Sequence, residues 1–135
     1  MIRLEIVTPE KRVLDAEVDS VTVTTATGEA GILPNHAPLI SALKPGILTY
    51  TSKGSSEKLA VSGGFVEVNG NTVSVLADTA STAGEIDVVE AKADKEAAEK
   101  AFAAVASGAI EDTESARDQI DAAAVRIQLA TGKSN

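Results

Sequence analysis

Cysteine and tryptophan are absent from the 135-residue chain, which has only two phenylalanines, one tyrosine and one histidine. Without cysteine it has no disulfide, no thiolate metal site and no cysteine nucleophile. So few aromatic rings offer little surface on which unpaired bases could stack. No apolar run reaches the roughly 18 residues that a membrane-spanning helix needs. We therefore expect a fold held by packing alone, without direct membrane insertion and without a bound cofactor.

Positive charge is also scarce, since 12 Lys and Arg stand against 20 Asp and Glu and the net charge is -8. A surface of this sign repels phosphates, which argues against nucleic acid and anionic lipid as partners. At the N-terminus Ile2, Leu4 and Ile6 alternate with charged residues. This pattern is typical of a strand, whereas a secretory signal would have a continuous apolar core. We expect a chain that is not exported by the usual route.

The composition changes near residue 84, from Val, Ile, Thr and Gly before it to Ala, Glu, Asp and Lys after it. This change predicts a β domain over residues 1–84 and a helical domain over 85–135. Short apolar alternations without a helix-length crossover segment favour an antiparallel sandwich or flattened barrel. The turn signals that separate them are Thr27-Gly28, Lys44-Pro45-Gly46, Lys53-Gly54-Ser55-Ser56 and Asn69-Gly70, the last being the strongest hairpin signal.

Two stripes of apolar residues at helical spacing predict an antiparallel helical hairpin after the β domain, so the expected fold class is α+β. Ser107-Gly108 is the expected end of the first helix, Asp112-Thr113 the expected cap of the second, and Thr131-Gly132 its expected end. A seam built mostly of alanine buries little apolar surface, so we expect a weakly held, mobile hairpin. The stripes are Val88, Val89, Ala91, Ala98, Ala101, Phe102 and Val105, then Ala116, Ile120, Ala123, Ala124, Ile127 and Ala130.

Few residues could carry chemistry. The only histidine, His36, lies between two prolines, where we expect a structural group or an interface contact. Paired carboxylates can support hydrolysis, yet no motif sets such a spacing here. The candidates are Glu29, Asp78, Glu85 and Asp87. The residues alone thus favour a non-enzymatic interaction protein and leave open a small carboxylate-dependent hydrolase or a stand-alone ligand-binding sandwich.

Gly63-Gly64 lacks the Lys and the Ser or Thr of a phosphate-binding loop, and we expect a bend or a close strand crossing there.

Four motifs follow one another at characteristic spacing: Gly28-Glu29-Ala30-Gly31-Ile32-Leu33-Pro34-Asn35-His36-Ala37-Pro38-Leu39, Leu43-Lys44-Pro45-Gly46, Ser62-Gly63-Gly64-Phe65 and Val75-Leu76-Ala77-Asp78-Thr79-Ala80. Together they resemble the epsilon subunit of F-type ATP synthases. The resemblance implies a flattened β-sandwich followed by two antiparallel helices. It also implies a non-catalytic part of the rotating central stalk, bound to the gamma subunit and resting on the c-subunit ring, which couples ring rotation to gamma.

The resemblance assigns partners to individual residues. Glu29 matches the position in a Gly-Glu-x-Gly loop that faces the c ring, although a solvated turn residue is an equally good interpretation. His36 matches the histidine of a Pro-x-His-x-Pro segment associated with the gamma contact, which Ala37, Pro38 and Leu39 would shape. The implied location is peripheral, on the cytoplasmic face of a bacterial plasma membrane or the stromal face of a thylakoid membrane.

Family members that sense ATP resemble one another at an Ile/Leu-Asp-x-x-Arg-Ala motif. Here Ile86, Asp87 and Ala91 match it, but Glu90 stands in place of the arginine. A carboxylate repels a triphosphate, so we predict weak or absent ATP binding and count a nucleotide-sensing module as the alternative function.

Family inhibition is associated with basic residues of the second helix that meet the catalytic-head subunits. This helix offers Arg117 and Arg126 among five acidic residues, so we expect poor docking and modest inhibition.

Overall fold

The computed structural model describes residues 1–105 and 110–132, with the backbone alone for 110–112. Ten strands form two five-stranded sheets, with the order β2-β1-β9-β8-β5 in the first and β10-β7-β6-β3-β4 in the second. The predicted sandwich followed by two helices is confirmed. The strands are β1 Ile2–Val7, β2 Arg12–Val18, β3 Ser20–Thr25, β4 Gly28–Ile32, β5 Leu39–Ala42, β6 Gly46–Ser52, β7 Ser55–Ser62, β8 Phe65–Asn69, β9 Thr72–Leu76 and β10 Thr79–Ser81.

The core lies between the sheets and is built by alternating residues. Ile2, Leu4 and Ile6 of β1 are all buried, as the sequence pattern predicts, and the valines of β3, β8 and β9 meet them. The strand pairs of both sheets are antiparallel except β1 with β9, which run parallel. After β2 the chain alternates between the sheets, with β3 and β4 in the second, β5 in the first, β6 and β7 in the second, and β8 and β9 in the first. This long excursion lets β9 lie beside β1 in the same direction, a pairing that local turn signals do not predict.

Two of the predicted hairpins form, but the residues of their turns differ from the predicted ones. Asn69 pairs with Thr72, so the β8–β9 loop is Gly70-Asn71, one residue later than the predicted Asn69-Gly70. Gly70 has φ +62°, which suits a turn with glycine first. Between β6 and β7 the turn is Lys53-Gly54 alone, because the predicted turn residues Ser55 and Ser56 already belong to β7. Lys53 and Gly54 have φ of +52° and +81°. Positive φ at both residues is the conformation that matches the twist of the flanking strands.

The predicted bend at Gly63-Gly64 is confirmed by φ values of +71° and +84°. A Cβ on Gly64 would overlap the carbonyl oxygen of Leu76. The backbones of the β7–β8 connection and the end of β9 therefore approach as closely as only glycine permits.

Two helices follow, α1 Val88–Val105 and α2 Ile110–Thr131. The Asp87 carboxylate accepts a hydrogen bond from the Glu90 N–H at 3.1 Å and so caps α1. The α2 terminus is confirmed at Gly132, whose φ is +72° and whose N–H donates to the Gln128 carbonyl at 2.8 Å. The predicted α1 end at Ser107-Gly108 lies outside the described residues.

The predicted cap of α2 at Asp112-Thr113 is wrong, because the helix already begins at Ile110. Thr113 lies inside the helix, and its hydroxyl donates to the Val105 carbonyl of α1 at 3.3 Å. The last turn of α1 is thereby linked to the first turns of α2.

The helix α2 packs against α1 on one side and against β6 and β7 on the other. The buried seam is mostly alanine, as predicted, and consists of Ala91, Ala98, Ala116, Ala123 and Ile127. Val89 and Ala101 were expected in the seam, but both are exposed, Val89 to 79%. The reason is that α1 packs mainly against α2, so its opposite side faces solvent.

Candidate interaction surfaces

The two residues matched to partner contacts lie at opposite ends of β4. Glu29 is exposed and pairs with Thr24 beside the β3–β4 turn. His36 lies in the loop beyond Ile32, at the other end of the strand. A strand rises about 3.3 Å per residue, so the length of β4 alone separates the two ends by about 13 Å. The geometry therefore allows two different partners, one at each end.

The His36 ring is half-buried, and its Nδ1 lies 2.6 Å from the Ala37 carbonyl oxygen. A carbonyl oxygen only accepts hydrogen bonds, so Nδ1 donates and Nε2 remains for an outside contact. Ala37 and Pro38 are exposed, whereas Leu39 is half-buried and packs on the core. Leu39, one of the predicted gamma contacts, thus lies beneath the surface that Ala37 and Pro38 expose and supports it.

The loop that carries His36 is tied to the β8–β9 hairpin. The Asn35 N–H donates to Asn71 Oδ1 at 2.7 Å, and Asn71 Nδ2 donates to Asn35 Oδ1 at 3.4 Å. Asn35 has φ +65°, a conformation that asparagine tolerates better than most residues. The sequence pattern does not predict this connection, because the two residues are distant in the chain and neither stands in a known pairing motif.

The outer side of the first sheet carries an uncovered apolar surface beside this loop. Phe65 is in register with Leu76 on β9 and with Ala42 on β5. Ile40 lies two residues from Ala42 and therefore on the same face of β5. The exposed fractions are 71% for Ile40, 57% for Phe65 and 54% for Leu76, and Ala42 is exposed as well. We call these four residues the apolar sheet face.

The helices do not cover the apolar sheet face, because α2 packs on β6 and β7 of the second sheet. Val66 and Val68 of β8 and Val75 of β9 are buried in the core. With a period of two, Phe65 and Leu76 must then point outward. That alternation was the signal that could have found this surface.

The motif residues Ile86, Asp87, Glu90 and Ala91 come together in a shallow depression of about 290 Å³ at the start of α1. The depression also holds the carboxylates of Glu85 and Asp94 and the guanidinium of Arg126. Arg126 Nη2 already donates to Asp94 Oδ2 at 2.9 Å. Four carboxylates around one paired arginine oppose the approach of a phosphate group.

The Glu85 carboxylate is also engaged in hydrogen bonds within the chain. It accepts hydrogen bonds from the Thr82 N–H at 3.0 Å and from the Thr82 hydroxyl at 3.1 Å, and the N–H bond is the main reason why the pKa of Glu85 lies below its usual value. This capping role makes Glu85 an ionised structural group.

The four carboxylates considered for hydrolysis are only partly brought together. Glu85 and Asp87 share the depression at α1, whereas Asp78 lines a separate cavity of about 450 Å³ against α2. Glu29 lies at the β3–β4 turn. Within residues 1–105 and 113–132, no three His, Asp or Glu side chains are placed to hold a metal ion. None of the described helices is long and apolar enough to cross a membrane.

Comparison with known proteins agrees with these features. A family model described as "ATP synthase, Delta/Epsilon chain, beta-sandwich domain" matches residues 1–83. The ATP synthase epsilon chain of Desulforamulus reducens is 55% identical over 98 residues, which are 73% of this chain and 74% of that one. The epsilon chain of Herpetosiphon aurantiacus is 45% identical over 134 residues, or 99% and 97% of the two chains.

Solved structures show the same fold. A chain of the Euglena gracilis mitochondrial ATP synthase, solved as an OSCP/F1/c-ring assembly, aligns with a TM-score of 0.71 at 26% identity over 89% of this chain and 75% of that one. A chain from the central stalk and c-ring of the Tetrahymena thermophila enzyme aligns with a TM-score of 0.62 at 17% identity, over 99% and 96%. Because the family model spans most of the chain and the relatives match along its length, this protein belongs to the epsilon chain family of ATP synthases.

Proposed function

We propose that this chain is the non-catalytic central-stalk subunit of a proton-translocating F-type ATP synthase, where it couples rotation of the c-subunit ring to the gamma subunit. Membership of the epsilon chain family supports this proposal, and so does the fold shared with a chain of an F1/c-ring assembly. The apolar sheet face is the observation that carries it. Exposed apolar clusters of this kind mark interaction sites on soluble proteins.

The apolar sheet face is suited to the gamma subunit. Its edge is continuous with the His36 loop, since Pro38, Ile40 and Glu67 line one shallow groove. Together the loop and the face form one surface along β5, with Ala37 and Pro38 at one end and Phe65 at the other. Docking there would bury the exposed part of Ile40, Phe65 and Leu76. Glu29 at the opposite end of β4 is left to face the polar loops of the c ring.

Mixing the purified chain with the gamma subunit of the same organism tests the proposal. Size-exclusion chromatography with light scattering should give a one-to-one complex. Ile40→Ser should weaken it, because the exposed side chain would lose most of its apolar contact with the partner. Val89→Ser is the matched control, since Val89 is equally apolar and 79% exposed but lies on α1. Separate elution of the wild-type chain at micromolar concentration, or equal effects of the two substitutions, would contradict the proposal.

The hairpin is the part that we propose to reach the catalytic-head subunits and to restrain ATP hydrolysis modestly. Its two described arginines on α2 are both engaged with α1, since Arg126 binds Asp94 and the Arg117 guanidinium lies 5.6 Å from the centre of the Phe102 ring. Few cations are then left for an acidic partner surface. Deleting residues 85–135 should raise the ATPase activity of the assembled enzyme only slightly. A many-fold rise would show that the hairpin is a strong inhibitor.

The proposed location follows from the partners. A subunit that rests on the c ring is peripheral, on the cytoplasmic face of a bacterial plasma membrane or on the stromal face of a thylakoid membrane. Fractionation should find the chain with membranes that carry the c ring and release it when the F1 part is stripped off. Persistent membrane association after removal of F1 would contradict a purely peripheral attachment.

A further inference from the structure

The loop between β4 and β5 has little internal support. Pro34 and Pro38 restrict the backbone but have no N–H to donate. Within residues 34–38, the contact of His36 with Ala37 is the only internal hydrogen bond that the structure shows. The remaining hydrogen bonds of this loop to the described chain are the two that join Asn35 to Asn71. The loop conformation therefore depends on a residue of another hairpin.

Asn71 is itself held firmly. It is the second residue of the Gly70-Asn71 turn, which joins two paired strands. Its carbonyl accepts the Arg3 N–H at 2.8 Å, so the turn is also fastened to β1. The Asn71 side chain thus projects from a site that three strands support, and the Asn35 N–H lies 2.7 Å from its Oδ1. The position of the loop is set by the rigid part of the sandwich.

We propose that Asn71 is the positioning residue of the His36 loop and holds it in the conformation that the gamma subunit binds. This inference rests on the proposed function only for the identity of the partner. A loop that is ordered before docking loses less conformational entropy on binding. The left-handed conformation of Asn35 would otherwise have to be selected at the moment of contact.

The chemistry of the two bonds distinguishes positioning from general stability. The shorter bond needs only an acceptor at residue 71, which Asn71→Asp retains and Asn71→Ala removes. Asn71→Ser is a second loss variant that keeps a residue favoured in turns, because its hydroxyl is one bond too short to take the place of the amide oxygen. Asn69→Ala is the control, since Asn69 is exposed in the same hairpin and its side chain makes no hydrogen bond within the described part of the chain.

The experiment measures the exchange rate of the Asn35 amide proton by NMR in the full chain, and the affinity of each variant for gamma by calorimetry. Asn71→Ala and Asn71→Ser should each speed exchange of the Asn35 amide and weaken gamma binding by at least about tenfold, because each removes both bonds to Asn35 and a single hydrogen bond already corresponds to about tenfold. Asn71→Asp and Asn69→Ala should keep Asn35 exchange at the wild-type rate.

Three outcomes would overturn the proposal. One is unchanged Asn35 exchange in Asn71→Ala or, if that variant does not fold, in Asn71→Ser. Another is an Asn71→Asp variant that behaves like the loss variants. The third is faster Asn35 exchange with undiminished gamma affinity. If wild-type chain fails to bind gamma, the proposed function is refuted, while the exchange rates still decide whether Asn71 holds the loop.

Discussion

Replacing Ile127 with alanine should loosen the helical hairpin without unfolding the sandwich. Ile127 is 6% exposed and is the only large apolar side chain of the two helices that is buried, among those described. Its buried companions in the seam are alanines. The ion pairs that also hold this region add little, since Lys44 with Asp118 and Lys11 with Glu85 are 3.5 and 3.6 Å apart and exposed. Ile127 is therefore the side chain whose truncation removes the most buried apolar surface from the described hairpin.

The magnitude follows from the side chain that is lost. Truncation of a buried isoleucine to alanine costs about 2–5 kcal/mol, and we take the lower end because α2 lies at the surface and its neighbours can relax. About 2 kcal/mol corresponds to a change of roughly 30-fold in the ratio of closed to open hairpin. A seam with many large side chains would lose a smaller part of its stability.

Hydrogen exchange followed by mass spectrometry measures this change. Amides of α1 and α2 should exchange roughly 30-fold faster in Ile127→Ala, whereas those of β1 and β9 should keep their protection, because local opening exposes only the part that opens. Val89→Ala is the control and should change neither, since Val89 is exposed on α1. Equal acceleration in helices and strands would show that the chain opens as one unit and would refute a separately mobile hairpin. Unchanged helix exchange would show that the burial of Ile127 does not hold the hairpin closed.

Three further predictions concern pH, backbone geometry and nucleotide binding. Hydrogen bonding from Arg3 holds the pKa of Asp15 below its ordinary 3.8. Asp15 therefore stabilises the fold above that pH, and this contribution is lost as the pH falls toward the lowered pKa. The urea concentration at the midpoint of unfolding should decline below pH 3.8, and it should decline less steeply in Asp15→Asn. Gly64→Ala should lower the free energy of unfolding in urea by more than about 2 kcal/mol, because the new Cβ would overlap the Leu76 carbonyl and Gly64 has a positive φ. Gly31→Ala is the control, since its Cβ would meet open space and the free energy of unfolding should change by less than about 1 kcal/mol. Calorimetry should detect no ATP binding to the wild-type chain at micromolar concentration and stronger binding to Glu90→Arg, so a micromolar Kd for the wild type would contradict the electrostatic argument.

The amino-acid sequence by itself determined the elements of this protein. Alternation with a period of two predicted that Leu4 and Ile6 share one face, which is buried, and the scarcity of large side chains after residue 84 predicted an alanine seam. The glycine at position 70 is explained by local structure alone, because its positive φ belongs to a two-residue turn. These features follow from the sequence because each depends on the conformation of a few consecutive residues.

Only the tertiary structure decided which elements meet. It paired β1 with β9 in parallel, placed Asn35 against Asn71, and turned Arg126 toward Asp94. It also left the apolar sheet face open by placing α2 on the other sheet. The alternation predicts that Phe65 and Leu76 lie on the face of the sheet that points away from the core, but it does not predict whether the helices cover them. That choice depends on contacts between residues far apart in the chain, whose energies no short window of sequence contains.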